Sequence, residues 1–270
     1  MFKSVFFVPK QLIFLIVGGN FLFMALDVAI AHSYNKFALL QEWIPLFYSI
    51  LSGMYVIYYS FLVDSNYIQQ TLFRLLLFIG LGIGIIGMYW HWHGATLQEF
   101  SLKSLVYAAP LVAPLAYAGN AIVAMVSDSV WLYKKRVLLL LVSGGFWGNF
   151  FLSILDHARN GFFYSKEWAG VFIAALGGIA FLWGSLKRTL SKEDQKILLM
   201  VSILEFLTGI AGFIFHLCSF DQTVSLIDNL LFGVPLFAPL LFSDIAILGV
   251  AIIMMSSDGL EWEFRPRKFI

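Results

Sequence analysis

Five histidines and a few acids set inside apolar stretches carry most of the chemistry this chain could perform. The histidines are His32, His91, His93, His157 and His216, each at or just beyond the end of an apolar stretch. Asp27 and Asp156 lie in the end thirds of two of the same stretches. Depth then matches Asp27 with His91 and Asp156 with His216. A carboxylate orienting an imidazole is the usual support behind a metal-bound histidine, and imidazole suits zinc, copper or iron. The expectation is a transition metal (Zn, Cu or Fe) or a haem held between His91 and His216, with His93, His157, Asp27 and Asp156 nearby. The plainer alternative is that these histidines only bond to water, backbone or a carboxylate. No HExxH-type spacing specifies a ligand set, and on a continuous helix His91 and His93 would point about 200° apart. Cys218 is the single cysteine, which excludes an internal disulfide and a cysteine-based zinc site. No nucleophile and base stand together with a third orienting group, so hydrolase chemistry has no support.

Two further acids, Glu205 and Asp244, sit deeper. Glu205 is eight residues beyond Ile197 on one stretch, and Asp244 is ten residues short of Met254 on the next, which runs the other way. Their depths are therefore similar. Two buried carboxylates at one level would share a proton, which suits proton transfer or cation binding. An acid inside a span costs about 2.5–3.5 kcal/mol on insertion scales, so each should face protein or water. Pro110 and Pro114, and Pro235 and Pro239, lie four apart. Each proline removes an amide donor and clashes with the preceding turn, which predicts kinked helices with free carbonyls.

The elements that must position these groups are apolar throughout. The chain has 270 residues, 60% hydrophobic and 12% charged, with a mean hydropathy of +0.86. Soluble domains carry about 25% charged residues. A net charge of +1 gives no basic field for nucleic acid. Eight apolar stretches stand out at residues 11–33, 44–63, 72–91, 105–127, 137–157, 168–186, 197–217 and 230–254. Each is long enough to cross a hydrocarbon core of about 30 Å. The spacing predicts an all-α, polytopic integral membrane bundle of eight transmembrane helices. Lys3 and Lys10 before an apolar run ending Ala29-Ile30-Ala31 look like a cleavable signal. The internal counterpart of that run cannot be one, so residues 11–33 are expected to remain as a helix.

That counterpart comes from a duplication. Residues 107–115 read YAAPLVAPL and residues 232–240 read FGVPLFAPL, a shift of 125. The same shift matches Gly84 with Gly209, His91 with His216, and Glu42-Trp43 with Glu167-Trp168. Upstream, a shift of 129 matches Gly19-Asn20-Phe21 with Gly148-Asn149-Phe150 and Asp27 with Asp156, which implies a four-residue insertion in the loop around 33–41. Two tandem, parallel four-helix repeats follow, at 11–127 and 137–256. Glu205 matches Gly80 and Asp244 matches Gly119, so these two acids break the symmetry.

With eight spans, one side holds 13 of the 17 basic residues and the other holds Lys36, Lys103, Arg159 and Lys166. The positive-inside rule puts both termini in the cytoplasm, with the histidines on the outer face of an inner (plasma) membrane. Three function classes fit. One is a metal or haem protein using His91 and His216. Another is a proton- or cation-coupled small-molecule transporter using Glu205 and Asp244. The third is a non-catalytic scaffold in a homo- or hetero-oligomer. In every case the lipid bilayer is the surrounding partner. The orientation is testable with single cysteines in a Cys218→Ser background. A membrane-impermeant maleimide applied to intact cells should label Lys36→Cys and Lys166→Cys but not Lys134→Cys or Lys196→Cys. The reverse pattern would invert the assignment.

Overall fold

The computed structural model describes residues 9–33, 36–95, 101–107, 110–131 and 133–255. Lys3, Arg265, Arg267 and Lys268 of the charge count, and Ala108-Ala109 of the first proline motif, lie outside the described residues. Within them the chain is all helix: α1 (Pro9–Ser33), α2 (Leu40–Ser60), α3 (Tyr67–Ala95), α4 (Leu102–Tyr107), α5 (Leu115–Asp128), α6 (Lys134–Ala158), α7 (Glu167–Leu186), α8 (Lys192–Cys218), α9 (Leu226–Phe232) and α10 (Leu240–Ile253). Five of these, α1, α3, α6, α7 and α8, are long and apolar enough to cross a bilayer. The chain is thus an all-α protein with several membrane-length helices. α2 is of similar length but mixes Glu42, tyrosines and serines into its sequence.

The stretches expected as spans at 105–127 and 230–254 are not continuous. Each is a short helix, a turn and a 14-residue helix, α4 then α5 and α9 then α10. The prolines do not kink these helices; they end one and start the next. Pro114 and Pro239 immediately precede α5 and α10 with φ of −61° and −64°. At a helix start, proline's fixed φ fits and its missing N–H is not needed. Between the prolines the chain makes tight turns. Ala113 N–H donates to Pro110 O at 3.2 Å and Leu115 N–H to Val112 O at 3.0 Å; Ala238 and Leu240 do the same to Pro235 and Phe237 at 3.2 and 3.0 Å.

The packing is built from helix pairs. α1 lies along α2 and α3 along α5; α6 lies along α7 and α8 along α10. Four helices close a ring at the centre, with α1 and α6 each packing on both α5 and α10. Bulky aromatics fill the interior: Phe21, Phe73, Phe146 and Phe181 are fully buried. On α1 the buried face is Ile13, Phe14, Val17, Gly18 and Phe21, and on α6 it is Leu138, Leu139, Val142, Ser143 and Phe146.

Glycines let the helices that begin at the breaks approach α3 and α8 closely. A Cβ on Gly84 would stand 2.8 Å from the Ala118 backbone nitrogen, and one on Gly209 would stand 2.8 Å from that of Ser243. Neither neighbour can move without its helix. Gly82, by contrast, has nothing within 4 Å. Overpacking a closed interface typically costs about 1–3 kcal/mol. Gly84→Val and Gly209→Val should therefore each lower the melting temperature in detergent by several degrees, while Gly82→Ala leaves it unchanged, as read by thermal unfolding.

Candidate functional site

α1 and α6 end in the same unusual turn. Lys36 and Phe37 have φ of 60° and 50°, and Gly161 and Phe162 have φ of 69° and 54°. Phe37 N–H donates to His32 O at 3.1 Å and Phe162 N–H to His157 O at 3.0 Å. A bulky residue in the left-handed region is strained, and here it does one thing twice. It lays Phe37 5.9 Å from the His32 ring and 4.4 Å from Trp43. It lays Phe162 5.9 Å from His157 and 4.0 Å from Trp168. The first turns of α2 and α7 then supply carboxylates: Glu42 is 3.8 Å from His32 Nδ1, and Glu167 is 3.8 Å from His157 Nδ1.

α3 and α8 bring the second imidazole of each group. His91 Nδ1 is 3.0 Å from Pro110 O, and His216 Nδ1 is 2.8 Å from Pro235 O. A carbonyl oxygen only accepts, so Nδ1 carries the hydrogen in both residues. In the neutral ring Nε2 is then left with its lone pair. The ring centroids of His32 and His91 are 6.5 Å apart, and so are those of His157 and His216. Each proline motif thus has a partner that sequence reasoning did not assign. The freed carbonyls it anticipated are met by these histidines.

The expected bridge between His91 and His216 is not what the fold assembles. Each of these histidines faces the other imidazole of its own half, His32 or His157. Among the described residues no three histidine, cysteine or acidic side chains converge as metal ligands. The His93 ring lies 4.0 Å from that of Tyr89, tilted by 53°. Asp156 lies within electrostatic reach of His157 and His216. Asp27 lies within electrostatic reach of Asp156.

The register of the first helix also differs from expectation. The left-handed turns, the His–Glu contacts and the His–His contacts recur at a spacing of 125 residues, with no insertion between His32 and Glu42. Asp27 is therefore level with Leu152, one turn away from the Asp156 level. Four residues are close to one helical turn, so a shift of 129 keeps the same face and satisfies the apolar pattern almost as well.

The deeper acids are held separately. At the centre of the ring Asn20 Nδ2 donates to Asn120 Oδ1 and to Asp244 Oδ2, both at 2.9 Å. This ties α1 to α5 and α10. At 125 residues from Asn20 and Asn120 stand Gly145 and Ile245, which meet in an apolar contact. Glu205 is fully buried on α8, with both oxygens lacking a hydrogen-bond partner, and rests on Gly177 of α7. Asp244 takes its hydrogen bond from Asn20. In the first half the small residue is Gly80 on α3, and Tyr48 of α2 reaches it, its hydroxyl donating to Leu76 O at 2.8 Å. A large polar side chain thus fills the same gap from opposite sides in the two halves. No family model, curated protein or solved structure matches the chain.

Of the two left-handed residues in each turn, one pair differs, Lys36 against Gly161. A left-handed non-glycine residue costs about 1–2 kcal/mol, and the Lys36 side chain is exposed. Lys36→Gly should stabilise the protein by about 1 kcal/mol. Gly161→Ala, whose Cβ meets nothing within 4 Å, should destabilise it by a similar amount. Paired thermal melts read both signs.

Proposed function

We propose that the chain crosses an inner membrane eight times as two tandem four-helix repeats, residues 11–127 and 137–256, with both termini cytoplasmic. We further propose that it works as a proton- or cation-coupled transporter of a small molecule. The reading is supported by helix bounds and contacts that recur at 125 residues, and by the 13-to-4 distribution of basic residues.

One observation carries the transport reading. Asp244 sits mid-bundle, bonded to Asn20, where the two halves meet and where both α5 and α10 begin after a break. Coupling-ion sites in duplicated transporters are commonly built from discontinuous helices at the repeat interface. Non-helical backbone at membrane depth persists only inside protein or beside water. Glu205 is enclosed between α7 and α8, and its role is to fill the space over Gly177.

Dicyclohexylcarbodiimide modifies protonated carboxyls in apolar surroundings, so it tests the site without a known substrate. Asp244 should be modified in the purified protein. Modification should slow several-fold as pH rises or as one of Na⁺, K⁺ or Li⁺ is added, read by mass spectrometry of the α10 peptide. Labelling indifferent to pH and to all three cations would leave Asp244 as a helix-to-helix hydrogen-bond acceptor and favour the scaffold reading.

A further inference from the structure

We propose that each half of the molecule carries its own transition-metal site, His32 with His91 in the first and His157 with His216 in the second. The ion is a borderline or soft late first-row ion, zinc or copper(I), held through Nε2 of both imidazoles.

On His91 and His216 the second nitrogen is already committed, and on His32 and His157 a carboxylate stands 3.8 Å from it. Pro110 O and Pro235 O hold the Nδ1 hydrogens of His91 and His216. Glu42 and Glu167 stand beside Nδ1 of His32 and His157. A carbonyl or carboxylate on the far nitrogen is the arrangement that backs metal-ligating histidines, fixing tautomer and ring direction. Capping a proline carbonyl needs only one N–H. It needs neither the opposite nitrogen nor another imidazole facing it.

The spacing fits a shared ion. With each Nε2 at 2.0–2.1 Å from the metal, two ring centroids lie about 5–6 Å apart for bond angles from tetrahedral to linear. The 6.5 Å separations need to close by about 0.5–1.5 Å. Two neutral nitrogens near linear geometry suit copper(I), and added water ligands suit zinc. Strain supplies a separate argument. Phe37 and Phe162 hold unfavourable left-handed backbones while packing on His32 and His157, and such strain concentrates at ligand clamps. With two protein ligands, each site is open and exchangeable rather than a closed structural centre.

The test is metal content after equilibrium dialysis of the detergent-purified chain at micromolar Zn²⁺, and separately at micromolar Cu⁺ under reductant. The wild type should hold two ions per chain. Asparagine at 91 or 216 keeps an N–H for the proline carbonyl but removes the Nε2 ligand. His91→Asn and His216→Asn should each halve the metal, and the double variant should lose it. His32→Asn with His157→Asn, which leaves both proline contacts intact, should give the same loss, so a folding failure of one pair does not shield the idea. X-ray absorption on the loaded wild type should show imidazole scattering. A wild type that takes up neither ion, or a double variant that binds like the wild type, overturns the proposal. Asp244→Asn should keep both ions, so failure of the transport reading stays distinguishable.

Discussion

A proline break leaves a backbone carbonyl without its helical amide, and at Pro110 and Pro235 that oxygen takes both a turn N–H, from Ala113 or Ala238, and an imidazole. His91 and His216 supply it, and much of the arrangement depends on that contact. It joins the ends of α3 and α8 to the turns before α5 and α10. Because the acceptor is a carbonyl, it also decides which imidazole nitrogen is protonated. The glycines at 84 and 209 then let the following helices lie close enough for the contact to form. Break, close approach and imidazole orientation are thus one structural device, used once in each half.

The centre of the molecule is less even-handed. The ring of α1, α5, α6 and α10 carries Asn20, Asn120 and Asp244 on one side and Gly145 and Ile245 at the corresponding places on the other. Polar bonds fix α1 against α5 and α10, whereas α6 meets α10 there through apolar surface alone. The α6–α10 contact takes its hydrogen bonds at the helix end instead, where Lys135 Nζ donates to Ile253 O at 3.0 Å and Met255 O at 2.6 Å. Likewise Tyr48 and Glu205 close the same gap from opposite helices, with glycine opposite each. Either solution works locally, but a large residue on both sides would collide and glycine on both would leave a void.

The helical, apolar character of the chain was legible because long runs without charge admit few alternatives. The positions of the breaks were half legible. Paired prolines announce disruption, but choosing between a kink and a full stop depends on whether the second proline finds a helix start. Pro114 and Pro239 do. The imidazole pairs were hidden by register. With Asp27 matched to Asp156, His32 and His157 fell out of line, although each stands ten residues before Glu42 and Glu167. Helical periodicity tolerates a four-residue slip, and only the turn geometry at Phe37 and Phe162 removes the ambiguity. Depth placed Glu205 and Asp244 at one level, but the contacts that hold each of them, Gly177 for one and Asn20 for the other, were not legible in it.

The 14-residue length of α5 and α10 has an electrical consequence. At 1.5 Å per residue each covers about 21 Å, well short of a hydrocarbon core of about 30 Å. On the proposed eight-span topology the insulating layer is thinner where these helices begin, and the membrane potential falls over a shorter path. Asp244 is the fifth residue of α10, so about 7 Å of helix lies on its N-terminal side, outward on the proposed topology, and about 14 Å on its C-terminal side. A cation arriving from outside would cross the smaller part of the field, and one leaving inward the larger. At about 2.3 kcal/mol per charge per 100 mV for the full drop, occupancy from the outer solution would respond weakly to voltage, and the inward step would carry most of the driving force.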